Sequence, residues 1–257
     1  MFDAHTHCDR VSAQVLERAQ ASGIRGLIVA GVDPEGWVRQ AAMSQPWVWH
    51  AFGLHPWRAA AMTHSEIDET LAMLTHHLDA NAPRTVGLGE TGLDKSKRCP
   101  SETLDPQVHA FRAQVTMAIE RNLPLILHVV RAHDMAARIL SETGLPSAGG
   151  MVHSFSGAPV HAQSYVDLGL HVSFSGSVTH PQAHKTSQAV QSVPDDRLLV
   201  ETDSPDQTPY PRRPSPNEPA FLIDVIAKVA AVRHTDPAHI AKLTTDNAQT
   251  LFGLSVT

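Results

Sequence analysis

The chain has no run of the roughly 18 consecutive apolar residues that a membrane-spanning helix requires, so no membrane partner is expected. It has only two cysteines, Cys8 and Cys99, which lie far apart and outside any Cys-x-x-Cys arrangement, and this argues against a zinc ribbon or a redox motif. After Met1 there is no basic stretch and no small-residue cleavage site, so no secretory signal is read and the cytoplasm is the expected compartment. Positive charge is short: 20 Lys and Arg stand against 26 Asp and Glu, a formal net charge of −6. A polyanion would therefore have to be held by a local patch or through metal ions. Linkers, low-complexity tracts and short internal repeats are also missing. A length of 257 residues suits one α/β barrel, and a single domain over residues 1–257 is expected.

What the chain does have is an alternation of short apolar runs, rich in β-branched residues, with longer segments of helical period. Eight runs read as strands: Phe2–His5, Gly26–Ala30, Trp47–Gly53, Thr85–Leu88, Leu125–Val129, Gly150–His153, Leu170–Phe174 and Arg197–Glu201. Between them, Val108, Phe111, Val115, Ala118 and Ile119 repeat at the spacing of one buried helical face, as do Phe221, Leu222, Val225, Ile226 and Val229. Asn217 is placed to cap the latter helix, and a last helix is expected from about Pro237 to Leu251. Eight βα units predict a parallel (β/α)8 TIM barrel with its active site at the C-terminal ends of the strands. A doubly wound open sheet is the lesser reading, because no glycine-rich phosphate fingerprint follows the first strand. Two long loops, Asp94 to Pro106 and the proline-rich Ser204 to Pro216, follow the fourth and eighth strands.

Histidine is abundant, with 17 residues. At that density about one His-x-His arises by chance, so the motif needs structural context. Context comes from the strand ends: His5 and His7 after the first strand, Glu90 after the fourth, His128 after the fifth, His153 after the sixth and Asp203 after the eighth. A barrel brings residues from different strand ends onto one rim. Each of these histidines alone would more often be a surface or capping residue; six such groups at matching strand ends form a metal-site composition. His5 and His7, two apart, share one face of an extended strand. Four neutral nitrogens and two carboxylates suffice for two divalent ions, with Glu90 bridging them. Zinc or manganese suits such mixed ligands, while magnesium prefers oxygen alone. His55 and Arg131 are candidates for binding substrate, Arg131 through its bidentate fork. His133, Asp94, Arg212 and Arg213 are weaker candidates. His64, His76, His77, His161, His171 and His239 are expected to be solvated, and Cys8 to fill space.

Together these motifs resemble the TatD family of metal-dependent deoxyribonucleases along almost the whole chain. The carriers are Phe2-Asp3-Ala4-His5-Thr6-His7, Gly53-Leu54-His55-Pro56, Gly89-Glu90-Thr91-Gly92-Leu93-Asp94, Pro124-Leu125-Ile126-Leu127-His128, His153-Ser154-Phe155-Ser156-Gly157 and Glu201-Thr202-Asp203-Ser204-Pro205. The resemblance implies metal binding at the same six residues and 3′ to 5′ exonuclease action on single-stranded DNA or strand ends. Asp203 and Glu90 are the expected catalytic carboxylates, with Asp203 orienting a water and accepting its proton, and the protein is expected to act as a monomer. Three positions depart from the family pattern: the arginine after the fifth strand is Arg131 with Val130 before it, Lys95 replaces an aromatic residue, and Trp57 replaces a second histidine after His55-Pro56. The same barrel and ligands would serve hydrolysis of an ester or amide, such as an aminoacyl-tRNA ester or a cyclic amide. A non-catalytic metal-binding component of a complex is the third reading.

Overall fold

The computed structural model describes residues 1–254, so the last three residues of the expected 1–257 domain lie outside the described residues. Eight parallel strands follow in sequence order around one sheet: β1 (Phe2–Thr6), β2 (Gly26–Ala30), β3 (Val48–Phe52), β4 (Thr85–Asp94), β5 (Leu125–Val130), β6 (Gly150–Val152), β7 (His171–Phe174) and β8 (Leu198–Val200). The seam between the last and first strands is bridged above β8, where the Asp203 N–H donates to the His5 carbonyl at 3.0 Å and the His7 N–H to the Ser204 carbonyl at 2.8 Å. Helices lie between the strands, as the TIM-barrel reading requires.

Period-two strand patterning divides the core in two. Leu27, Val29, Val48, Phe52, Leu125 and Leu127 join the large cluster that the helices cover. Their neighbours Ile28, Ala51 and Ile126 instead meet Phe2, Ala4, Met151 and Leu199 in a smaller cluster. That cluster is closed by Ala248, Leu251 and Phe252 of the final helix, Pro237–Phe252. Alternation of this kind is how a barrel fills its interior while packing helices outside. Fully buried strands explain why the sequence reads as continuous apolar runs.

Helix starts follow local chemistry. Thr63 and Glu66 form a reciprocal capping box at the helix His64–Ala80, and Asp33 and Asp236 cap helices whose first residues are Pro34 and Pro237. The Asn217 expectation is overturned. Its amide donates to the carbonyls of Thr202 (2.7 Å) and Asp206 (2.6 Å), so it ties the loop after β8 together, and the helix Leu222–Arg233 begins only after a short 3-10 turn. β4 also runs further than expected, to Asp94, so Glu90 lies within a strand. The helix Leu104–Arg121 takes Pro106 into its first turn and shortens the loop after β4.

His171, expected to be solvated, is instead buried at the start of β7, where the strand is covered on both faces. His64, His76 and His239 are exposed, and His77 and His161 are half-buried. His50 in β3 is buried as well, and among the described residues neither of its ring nitrogens finds a partner at normal hydrogen-bond geometry. Burial first, then Arg84, pushes its pKa down to about 4. A histidine lowered in the folded state contributes stability that is full above the unfolded value near 6.5 and is lost as pH falls toward 4. His50→Phe should therefore lose less stability than the parent between pH 6.5 and 4.5, with a slope shallower by up to ~1.4 kcal/mol per pH unit. Urea unfolding at several pH values measures this; equal slopes would show that His50 does not contribute.

Candidate metal centre

The strand ends converge on Glu90. Its Oε1 faces His128 Nδ1 at 2.7 Å, His153 Nε2 at 2.7 Å and His55 Nε2 at 3.1 Å, and its Oε2 faces His7 Nε2 at 3.3 Å and His5 Nε2 at 3.5 Å. Asp203 Oδ1 closes the second set, 3.6 Å from His5 Nε2 and 3.5 Å from His7 Nε2. All seven side chains are buried. Glycine makes the crowding possible: a Cβ on Gly92, at φ +140°, would lie 2.1 Å from the His128 carbonyl oxygen, and one on Gly53 would lie 2.6 Å from the Gly89 carbonyl carbon. The chain leaves these strands through left-handed residues, with Arg131 at φ 54°, Ser154 at 43° and Asp203 at 58°. Such conformations each cost roughly 1–3 kcal/mol and persist where the surroundings hold them.

Buried polar atoms without partners show that the residues fit a cation. Among the described residues His5 Nε2 and Glu90 Oε2 find no hydrogen bond although fully enclosed, a costly state that a bound metal would relieve. Ligand atoms of His5, His7 and Glu90 approach one another within 4.8 Å, as do those of His5, His153 and Asp203 and those of His55, Glu90 and His128. Imidazole with carboxylate suits zinc or manganese.

Hydrogen bonds behind the rings decide which nitrogen each one offers. His7 Nδ1 lies 3.0 Å from the Ala30 carbonyl, which only accepts, so the proton sits on Nδ1 and the Nε2 lone pair faces the cluster. His153 Nδ1 is 3.3 Å from Glu201 Oε1, and His128 Nε2 is 3.2 Å from Asp94 Oδ2, which turns His153 Nε2 and His128 Nδ1 toward the cluster, where they could coordinate a cation. His55 is reversed. Its Nδ1 accepts the Trp57 backbone N–H at 3.0 Å, so Nε2 keeps a proton and aims it at Glu90. Although its distances suit a ligand, this tautomer makes His55 a donor.

Without a cation the cluster holds protons. Burial raises the Asp203 carboxyl to about 7; His153 and His7 oppose that rise, and Glu90 and Glu201 add to it. Burial alone would also raise Glu90, but His153, His55 and His128 outweigh it and hold the carboxyl well below its usual range. Burial, then His153, brings His5 down to about 4, so that ring stays neutral at physiological pH.

Two buried carboxylates went unremarked as functional residues. Glu201 accepts the Ser154 N–H at 2.6 Å beside His153, and Asp3 accepts from the Thr202 N–H at 2.8 Å and hydroxyl at 2.5 Å. Both stand two residues before a candidate ligand, Asp3 inside β1 and Glu201 directly after β8, and an acidic residue within or beside an apolar run was the available signal. Asp94 also moves inward, accepting from the Trp57 indole N–H at 2.5 Å as well as from His128. Arg131 and Arg213 are exposed on the cleft above the cluster. Arg212 instead pairs with Asp224 at 2.7 Å, and His133 meets the Tyr165 hydroxyl at 3.1 Å. Cys8, buried 3.7 Å from the Ser204 hydroxyl, has its thiol pushed up to about 12 by burial, which suits a space-filling role.

Comparison with known proteins agrees with this arrangement. The family model described as TatD related DNase matches residues 2–253. The chain is 33% identical to the uncharacterized metal-dependent hydrolase YabD of Bacillus subtilis, over 99% of this chain and all of that one. It is also 33% identical to the 3′-5′ ssDNA/RNA exonuclease TatD of a Rahnella species, over 96% of this chain and 94% of the relative. The crystal structure of YjjV, a TatD homolog from Escherichia coli, superposes with a TM-score of 0.92 at 30% identity, covering 99% of this chain and 98% of that one. With the motifs, the barrel and these relatives in accord, the chain belongs to the family of TatD-related DNases and is a metal-dependent hydrolase.

Proposed function

We propose that the protein is a two-metal nuclease that removes nucleotides from the 3′ end of single-stranded DNA. The observation that carries this reading is the cleft over the cluster, about 1360 Å³ in volume. Arg10, Lys97, Arg98, Arg131 and Arg213 are exposed on its walls, and none forms an ion pair among the described residues. Arg39 and Arg58 line the same cleft but are neutralised by Asp9 (3.2 Å) and Asp33 (2.5 Å). Five free cations in one cleft, on a chain of net charge −6, supply the local patch that a polyanion needs.

Bound divalent ions would acidify a water and offset the charge that builds on a phosphodiester in the transition state. His5, His7 and Asp203 would hold one ion and His128 and His153 the other, with one Glu90 oxygen directed at each set. Asp203 orients the water and takes its proton. Once cations engage Glu90, the Nε2 proton of His55 that faces it becomes available to the phosphodiester, and Arg131 grips a neighbouring phosphate with its fork. The name of the Rahnella relative supports the polarity and a single-stranded substrate. Among the described residues no helix is long and apolar enough to cross a membrane, which accords with work in the cytoplasm. Outside the cleft the exposed large apolar residues Val38, Met73, Ile119, Val160, Tyr210 and Ile223 lie on six different elements, which supports action as a monomer. One continuous eight-stranded sheet supports a single domain over 1–257.

The test is to strip the protein of metal, restore Mn²⁺, Zn²⁺ or Mg²⁺ separately, and follow 5′-labelled single-stranded DNA. A ladder of products shortening from the 3′ end is the expected result. Bound metal with intact DNA would turn the reading to a small ester or amide.

A further inference from the structure

The cleft contains one large aromatic ring that core packing does not explain. Trp37 and Trp47 are buried, whereas Trp57, the residue after Pro56, is 38% exposed on the cleft wall. Its ring is nevertheless fixed. The indole N–H donates to Asp94 at 2.5 Å, and the ring meets His55 and His128 with centroids 4.6 and 5.8 Å away. A ring held in place before binding loses little further freedom when something stacks on it. Over it, at 4.5 Å from the centroid, lies the Arg98 guanidinium. Arg98 is exposed and forms no ion pair among the described residues.

The geometry points to a nucleobase subsite in which Trp57 is the stacking platform and Arg98 the opposite face, one nucleotide's reach from the phosphate held at the Glu90 cluster. This deepens the nuclease reading and rests on it. A π face opposed by a cation suits any base, because every base has a π face. It gives affinity with little sequence preference, and it requires an unpaired base, since a base stacked in a duplex cannot enter. His55 and His128 touch the platform on their cluster side, so a stacked base also sets the register of its phosphate against the catalytic groups. Arg98, whose guanidinium meets only the ring among the described residues, swings aside to admit the base and closes over it.

The test compares cleavage of a single-stranded oligonucleotide with that of the same strand carrying abasic tetrahydrofuran units at its 3′ end. Trp57 also orders Asp94, so absolute rates of its variants mix two effects. The ratio between the two substrates within each variant cancels the shared part. The parent should show a KM about ten- to a hundredfold lower for the base-bearing strand. Trp57→Leu should bring that ratio close to one, and Trp57→Phe, which keeps a π face, should retain most of it. Metal-free parent protein should also show tryptophan fluorescence quenched by oligothymidylate and not by the abasic strand, a response that Trp57→Phe removes. If Trp57→Leu cleaves DNA with the parent ratio, the platform is refuted and the nuclease reading stands. If the parent neither cleaves an oligonucleotide with any of the three ions nor is quenched by one, both are refuted.

Discussion

Glu90→Gln is expected to weaken divalent-metal binding by at least a hundredfold and to take hydrolysis down with it. Among the described residues Glu90 is the one carboxylate that all five imidazoles approach, three toward Oε1 and two toward Oε2, at distances from 2.7 to 3.5 Å. The amide has the same size and shape, so the steric fit among the five rings is preserved. What changes is charge and donor direction. An NH2 group would point at lone pairs that His128 and His153, or His5 and His7, hold ready for a cation. Partners that only orient a ligand are typically worth ten- to a hundredfold in metal affinity, and a residue facing both sets should exceed that. A ligand that binds only the folded state raises stability by mass action. Adding Mn²⁺ or Zn²⁺ should therefore raise the melting temperature of the parent and leave that of Glu90→Gln almost unmoved. A chelator-competition titration that places the variant within threefold of the parent would sink the assignment.

The strand ends were legible because barrel topology turns sequence position into spatial position: His5, His7, Glu90, His128, His153 and Asp203 needed only eight apolar runs to be gathered on one rim. What the sequence concealed is pairwise. Glu201 and Asp3 stand out only as acids in or beside apolar runs, and the fold alone shows which hydrogen bonds each accepts. Nothing in a sequence says which nitrogen of His55 carries the proton; that is set by a backbone N–H two residues on, at the first turn of a short helix. Asn217 was misread for a related reason. Its neighbours look like a helix start, but its amide finds two carbonyls in the loop after β8 and the helix begins later. Trp57 is a different case, a residue whose chemistry depends on an exposed face in a charged cleft, and exposure is a property of the assembled barrel.

Asp203→Asn carries the second large expectation: a fall in kcat of about a thousandfold, within the range that removing a positioned general base produces, while KM changes little. Asparagine is well suited to isolate the effect. Asp203 sits at φ 58°, a conformation that asparagine tolerates better than most residues, so the backbone bond from its N–H to the His5 carbonyl survives. The amide oxygen can still take the place of Oδ1 near His5 and His7, so part of the metal affinity should remain. What is lost is basicity. A carboxylate can accept a proton from water near neutral pH, and an amide of the same shape cannot. Asp203→Ala separates the contributions further, because it removes the ligand oxygen as well and should lower metal content together with rate. Steady-state kinetics with metal content measured on the same samples decides the matter. Should Asp203→Asn keep more than a tenth of the parent kcat at full metal loading, the proton from water must go elsewhere, and Asp203 is a ligand alone.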